Sequence, residues 1–184
     1  MNILFIVGGV LVIVIFISFL FIYNRLIRLN NNVREAFATM DVYLKKRWDL
    51  VPNIVKFVRE YTKYEKETLK EITALRKNNY DDLSQDEKIH ANEKMNRELS
   101  KLMYLVESYP SLKANDNFMS LTQEFVSIEN DIAQSRKYFN AVVRDYNNLV
   151  EMVPSNMVAK IFGYKVKAMF SIDENEKENV VVKD

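Results

Sequence analysis

The stretch Phe118–Leu149, FMSLTQEFVSIENDIAQSRKYFNAVVRDYNNL, decides the fold. Within it Phe118, Leu121, Phe125, Ile128, Ile132, Ser135, Phe139, Val142, Tyr146 and Leu149 recur at alternating spacings of three and four, which places them on one face of an α-helix. Ser135 is the one polar member of that seam. A seam of this length serves either a homodimeric coiled coil or packing inside a helical bundle. Three other segments of the chain carry apolar stripes that also need a partner, and this accounting favours a bundle within one chain.

Leu26, Leu29, Val33, Ala36, Met40 and Tyr43 form the first of those stripes. Asp49 is a candidate cap for a second helix with Pro52 in its first turn, where a missing N–H is harmless. Its buried face would be Ile54, Val58, Tyr61, Ile72 and Leu75. Asn78 to Leu83 reads as a polar turn, and Ser84-x-x-Glu87 then reads as a capping box. The third helix begins there, carries Met95, Leu99, Leu102, Val106 and Tyr109, and stops at Pro110. After the long seam, Pro154 and Ser155 open a short helix, with Ser155 as its cap and Gly163 as its left-handed end. The expected fold class is all-α: an N-terminal transmembrane helix followed by an elongated antiparallel four-helix bundle.

The transmembrane assignment rests on Ile3 to Ile22, where only Gly8, Gly9 and Ser18 lie outside the large apolar set. A run of about 20 such residues is what a helix needs to cross a bilayer. A cleaved signal peptide fits less well, because no Lys or Arg precedes Arg25 and no A-x-A pattern follows. Arg25, Arg28 and Arg34 flank the C-terminal end of the run, which predicts a single pass with the N-terminus outside and the main domain in the cytoplasm. The first helix is expected to continue from the membrane, with Asn30, Asn31 and Asn32 as the place where a hinge would form. The expected domains are an anchor over 1–24, a helical bundle over 25–170 and a disordered acidic tail over 171–184.

Composition narrows the function by exclusion. Formal net charge is +1, with the acidic tail at −3 and the remainder about +4, too weak and dispersed for a nucleic-acid surface. With no cysteine there are no disulfides, thiolate nucleophiles or Cys-based zinc sites. His90 is the single histidine and reads as a surface residue. Glu124, Glu129 and Asp131 lie near the long seam without the Glu-x-x-His pattern of a bundle metal site, and Ser155 has no nearby histidine to activate it. We therefore expect no catalytic residue, no cofactor and no metal.

Two clusters remain as candidate interaction sites. Lys45, Lys46 and Arg47 form a basic knot before Trp48, suited to anionic headgroups or an acidic partner, or simply solvated. On a straight helix Lys46 stands about 35 Å beyond Ile22 at 1.5 Å per residue, outside the range of headgroup attraction. Arg25 and Arg28 are better placed for lipid phosphates. Arg136, Asn140, Arg144, Asp145 and Asn147 surround the long seam at helical spacing, either as a partner-recognition surface or as an internal polar network in which Arg144 meets Asp41 or Asp49.

Three blocks of sequence carry a family resemblance. They are Tyr23-Asn24-Arg25-Leu26-Ile27-Arg28-Leu29 with Val33-Arg34-Glu35-Ala36-Phe37; Asp41-Val42-Tyr43-Leu44-Lys45-Lys46-Arg47-Trp48-Asp49-Leu50-Val51-Pro52-Asn53; and Arg136 to Asn147 followed by Pro154 to Tyr164. In order and spacing the chain resembles the LemA family of bacterial membrane proteins from Tyr23 to Phe170. The resemblance implies an N-terminal anchor, a short external N-terminus and an α-helical cytoplasmic domain at the inner membrane. It implies no enzymatic reaction, and it includes a magnetosome-membrane branch associated with membrane organisation. The expected role is a non-enzymatic scaffold or interaction module whose partners are the lipid bilayer, an unidentified protein and further copies of itself; the alternatives are a self-assembling element that organises or shapes the membrane and, after it, an enzyme of unrecognised type. If the orientation is right, a cysteine introduced at Asn78 resists membrane-impermeant maleimide in intact cells, and ready labelling there overturns it.

Overall fold

The computed structural model describes residues 2–62, 70, 73–74 and 79–170, and every regular element among them is helical. Ile72, Leu75, Asn78 and the acidic tail over 171–184 lie outside the described residues. The elements are α1 (Asn2–Tyr61), a single 3-10 turn at Tyr80–Asp82, α2 (Gln85–Val106), the one-turn α3 (Pro110–Lys113), α4 (Asp116–Glu151) and α5 (Ser155–Ile161). The chain divides into two compact units: Thr39–Ser135 forms one, and Met1–Ala38 with Arg136–Asp184 forms the other.

α1 is continuous where the sequence suggested two interruptions. It runs unbroken through Asn30–Asn32, and Pro52 lies inside it and opens no second helix there. The expectation of a cap at Asp49 is corrected accordingly. The reason lies in burial: Met40, Leu44, Trp48, Val51, Ile54 and Val58 are all buried, so the apolar stripe passes Pro52 in register. Packing of that stripe outweighs the missing donor, a penalty of about 3 kcal/mol in an unsupported helix. Among the described residues α1 alone is long and apolar enough to cross a membrane, and none of that apolar window is buried.

In the Thr39–Ser135 unit α1 and α4 run antiparallel, with the rings of Phe57 and Phe118 6.2 Å apart and Tyr61 near Asn115. By Asp81 the chain is back beside Lys45, so α2 lies parallel to α1. Ser84 and Glu87 form the expected capping box, each side chain bonding the other's backbone N–H. Hydrogen bonds from Ser84 hold the Glu87 carboxyl below the usual carboxylate range. Ile89, Met95, Leu99, Leu102 and Val106 of α2 are buried in this unit, as are Phe118, Phe125, Ile128 and Ile132 of α4. Pro110 takes the first position of α3, where its lack of an N–H costs nothing.

In the other unit Leu26, Val33 and Ala36 of α1 are buried, as are Phe139, Val143 and Tyr146 of α4 and Val158 and Ala159 of α5. Ser155 is not the cap of α5. Pro154 holds that position and the Ser155 hydroxyl donates back to the Met152 carbonyl at 2.9 Å, satisfying the end of α4. Gly163, at φ 72°, ends α5. Its N–H bonds the Lys160 carbonyl and that of Tyr164 bonds the Ala159 carbonyl, the paired closure that needs a left-handed residue.

Because packing already holds α1 helical across Pro52, Pro52→Ala restores a backbone donor without moving anything. We expect it to stabilise the chain by about 1–2 kcal/mol, read from chemical denaturation; destabilisation would mean that Pro52 starts a helix after all.

Candidate functional site

The basic knot does not form one surface. Arg47 occupies a stripe position on α1, between Leu44 and Val51, and is 1% exposed. Its Nη1 donates to Glu129 Oε1 at 2.9 Å and to the Asn96 side-chain oxygen; its Nη2 donates to Asn92 Oδ1 at 2.7 Å and to the Asn92 carbonyl at 3.2 Å. Asn92, itself buried, is oriented by donating to the Lys88 carbonyl at 2.9 Å. One guanidinium thus ties α1 to α2 and α4. A buried charge is costly unless it is met by such partners, and removing one partner of a buried ion pair typically costs about 3–5 kcal/mol.

A second polar centre sits on the same helices. Asp41 accepts from the Tyr80 hydroxyl at 2.6 Å and from Lys88 Nζ at 2.7 Å. Burial, reinforced by Asp41, pushes the Tyr80 phenol far above its ordinary range. The Tyr80 ring lies 5.2 Å from Trp48, with the Lys88 ammonium 4.7 Å from its centroid. Lys45 pairs with Asp81 at 2.9 Å, and that hydrogen bond raises its pKa. Lys46 is the most exposed residue of the knot and lies 5.4 Å from the Tyr43 ring. It borders an open groove of about 500 Å³ between α1 and α4, lined also by Asp49, Asn53, Glu124, Ser127 and Asp131. That mixed-charge lining presents no paired acid and base and no activated nucleophile.

The second candidate cluster separates as sharply. Asn140 and Asn147 hold the segment that follows α5. Asn147 donates to the Lys167 carbonyl at 2.9 Å and accepts from the Lys167 N–H at 2.8 Å, and Asn140 does the same with Phe170 at 3.0 and 2.9 Å. The geometry follows from two repeats. Seven helical residues rise about 10.5 Å, and three residues of near-extended chain cover about 10 Å. Each asparagine amide therefore meets a peptide unit as a neighbouring strand would, and 164–170 becomes a strap running antiparallel to α4. Tyr146 adds a bond to the Lys165 carbonyl at 3.0 Å, and Phe170 packs edge-on against Phe139. Lys167 lies 5.3 Å from the Tyr146 ring, and burial, aided by Arg34, lowers its pKa.

Arg144 and Asp145 stay exposed, 3.6 Å from each other, while Asp41 is engaged by Tyr80 and Lys88. The structure pairs Arg144 with Asp145 in place of the suggested Asp41 or Asp49. Arg136 is half-buried, and Arg25 and Arg28 are exposed. Sequence reasoning missed Asn92, Asn96, Tyr80 and the strap. Asn92 was legible in principle, because it continues the α2 stripe from Ile89 to Met95; the strap had no periodic signal at all.

The family model of the LemA family matches residues 36–183. The chain belongs to the LemA family. Among its relatives is "Protein LemA" of Metamycoplasma hominis, 25% identical over 167 residues, which cover 88% of this chain and 76% of that protein. Another is "Magnetosome protein MamQ" of Magnetospirillum gryphiswaldense, 34% identical over 67 residues, which cover 36% of this chain and 25% of the magnetosome protein. Neither name states an enzymatic activity. In this LemA family member, Arg47 of the first candidate cluster ties helices together, and Asn140 and Asn147 of the second hold the strap in place.

Removing either clamp tests that assignment. Asn140→Ala and Asn147→Ala each leave peptide groups without partners and are expected to cost about 1–3 kcal/mol. Amide exchange at Lys167 and Phe170 should accelerate while that of α4 stays slow; unchanged exchange at both would show that the asparagines do not hold the strap.

Proposed function

We propose that this chain is a single-pass, membrane-anchored, non-enzymatic scaffold that presents its helical units on the cytoplasmic face of the bacterial inner membrane. The observation that carries this reading is α1 itself. One uninterrupted helix contains both the apolar run from Ile3 to Ile22 and the buried stripe from Leu26 to Val58. The orientation draws on Arg25, Arg28 and Arg34, which follow the apolar run. Of the candidate interaction residues on the helical units, Lys46, Arg144 and Asp145 are exposed and offered to a protein partner.

A second reading, a self-assembling element that organises or shapes the membrane, is favoured by the likeness to magnetosome proteins over 67 residues. Crosslinking the native protein in intact cells, followed by purification and mass spectrometry, separates the two. The scaffold reading expects one reproducible heterologous protein, lost when Lys46 and Arg144 are charge-reversed in a chain that still folds. Recovery of self-crosslinked chains alone refutes it and supports self-assembly.

A further inference from the structure

α5 and its flanks are apolar on the wrong side for a helix that faces only water. Val158 and Ala159 are buried, yet Met152, Val153, Met157, Ile161 and Phe162 are all exposed, Val153 at 75% and Ile161 at 69%. Scattered exposed apolar residues are ordinary, but here five large ones fall within the 11 residues from Met152 to Phe162. A helix apolar on both faces belongs in a core or in a bilayer.

The packing of α5 says which. The Phe162 ring lies 5.9 Å from that of Phe19 and 4.4 Å from that of Tyr23. Val158 and Ala159 pack in one cluster with Leu26, against which Phe19 and Ile22 also sit. Phe19 and Ile22 are the last turn of the apolar run, and Arg25 is the first charged residue after it. At 1.5 Å per residue Phe19 lies about 9 Å to the apolar side of Arg25. That matches the 5–10 Å to which interfacial helices sink. Where α1 enters a bilayer, α5 is therefore carried to the boundary between headgroups and acyl chains.

From this juxtaposition we infer that α5 and its flanks form a second membrane contact: a short interfacial foot whose exposed face, led by Met157 and Ile161, sits in the lipid beside the transmembrane helix. The occupant is the bilayer, because the exposed apolar face is continuous through Phe162 and Phe19 with the unburied apolar window of α1. Lys160, exposed on α5, and Arg25 and Arg28, exposed on α1, are cations that can reach lipid phosphates by extending their stems. The left-handed close at Gly163 turns the chain out of α5 immediately after Phe162, so the foot is only two turns long. This inference rests on the membrane-anchor reading of α1.

The chain has no cysteine, so single substitutions report single positions. Met157→Cys, Ile161→Cys, Val10→Cys and Ser100→Cys are each labelled with an environment-sensitive nitrobenzoxadiazole dye. The full chain is then reconstituted into phosphatidylcholine–phosphatidylglycerol vesicles, with doxyl-lipid quenchers placed near the headgroup or near the chain end. The expected result is blue-shifted emission at Met157 and Ile161 and strong loss of intensity with the shallow quencher, against quenching at Val10 and none at Ser100. Quenching at Val10 with Met157 and Ile161 as wet as Ser100 overturns the foot and leaves the anchor standing. Absence of quenching at Val10 overturns the anchor and the foot together. Shielding of Met157 and Ile161 that no lipid quencher reaches, and that disappears on dilution into excess lipid, overturns the lipid assignment in favour of a second copy of the chain.

Discussion

A guanidinium buried among three helices constrains everything around it. Apolar stripes are tolerant of register, because sliding one helix past another by a heptad brings similar side chains into similar places. Arg47 removes that tolerance. Its donors must meet Asn92, Asn96 and Glu129, and any other offset would bury the charge without partners. Whether the arrangement adds net stability over an apolar substitute is secondary; what it sets is which turn of α1 faces which turn of α2 and α4. The neighbouring Asp41, shared by Tyr80 and Lys88, extends the same restriction to the 3-10 turn at Tyr80–Asp82.

The other unit solves the same problem with neutral groups. Asn140 and Asn147 present donor and acceptor together, as a peptide bond does, and their heptad spacing matches three residues of near-extended chain. A segment with no helical or strand partner of its own thereby has its Lys167 and Phe170 peptide groups satisfied. Phe170, the last described residue, fills the space beside Phe139. In both units polar side chains with fixed geometry decide position, and apolar area supplies the cohesion.

The helices themselves were largely legible. The seam of α4, the capping box at Ser84, the stop before Pro110 and the glycine end of α5 were all read from spacing and residue type. Burial departs from the strict three–four alternation at three places: Leu44 in place of Tyr43, Thr62 in place of Tyr61, which is exposed, and Val143 in place of Val142. A straight helix of 3.6 residues per turn drifts past a 3.5-residue repeat, and an extra step of four restores the contact. Pro52 misled because a breaker was weighed alone, without the stripe on both sides of it. Lys45, Lys46 and Arg47 misled because adjacent residues on a helix point about 100° apart, so three neighbouring cations share a stretch of sequence but not a surface.

By itself, the sequence determined that the chain is helical, that its first 22 residues can cross a bilayer and that it resembles the LemA family, since these depend on local periodicity, run length and motif order. Only the tertiary structure decided that Arg47 is inside while Lys46 is outside, that Asn140 and Asn147 clasp a strap, and that the apolar face of α5 lies beside Phe19. Those outcomes depend on groups 20 to more than 140 positions apart in the chain meeting at hydrogen-bond or van der Waals distance, and no spacing within one helix encodes which partner arrives.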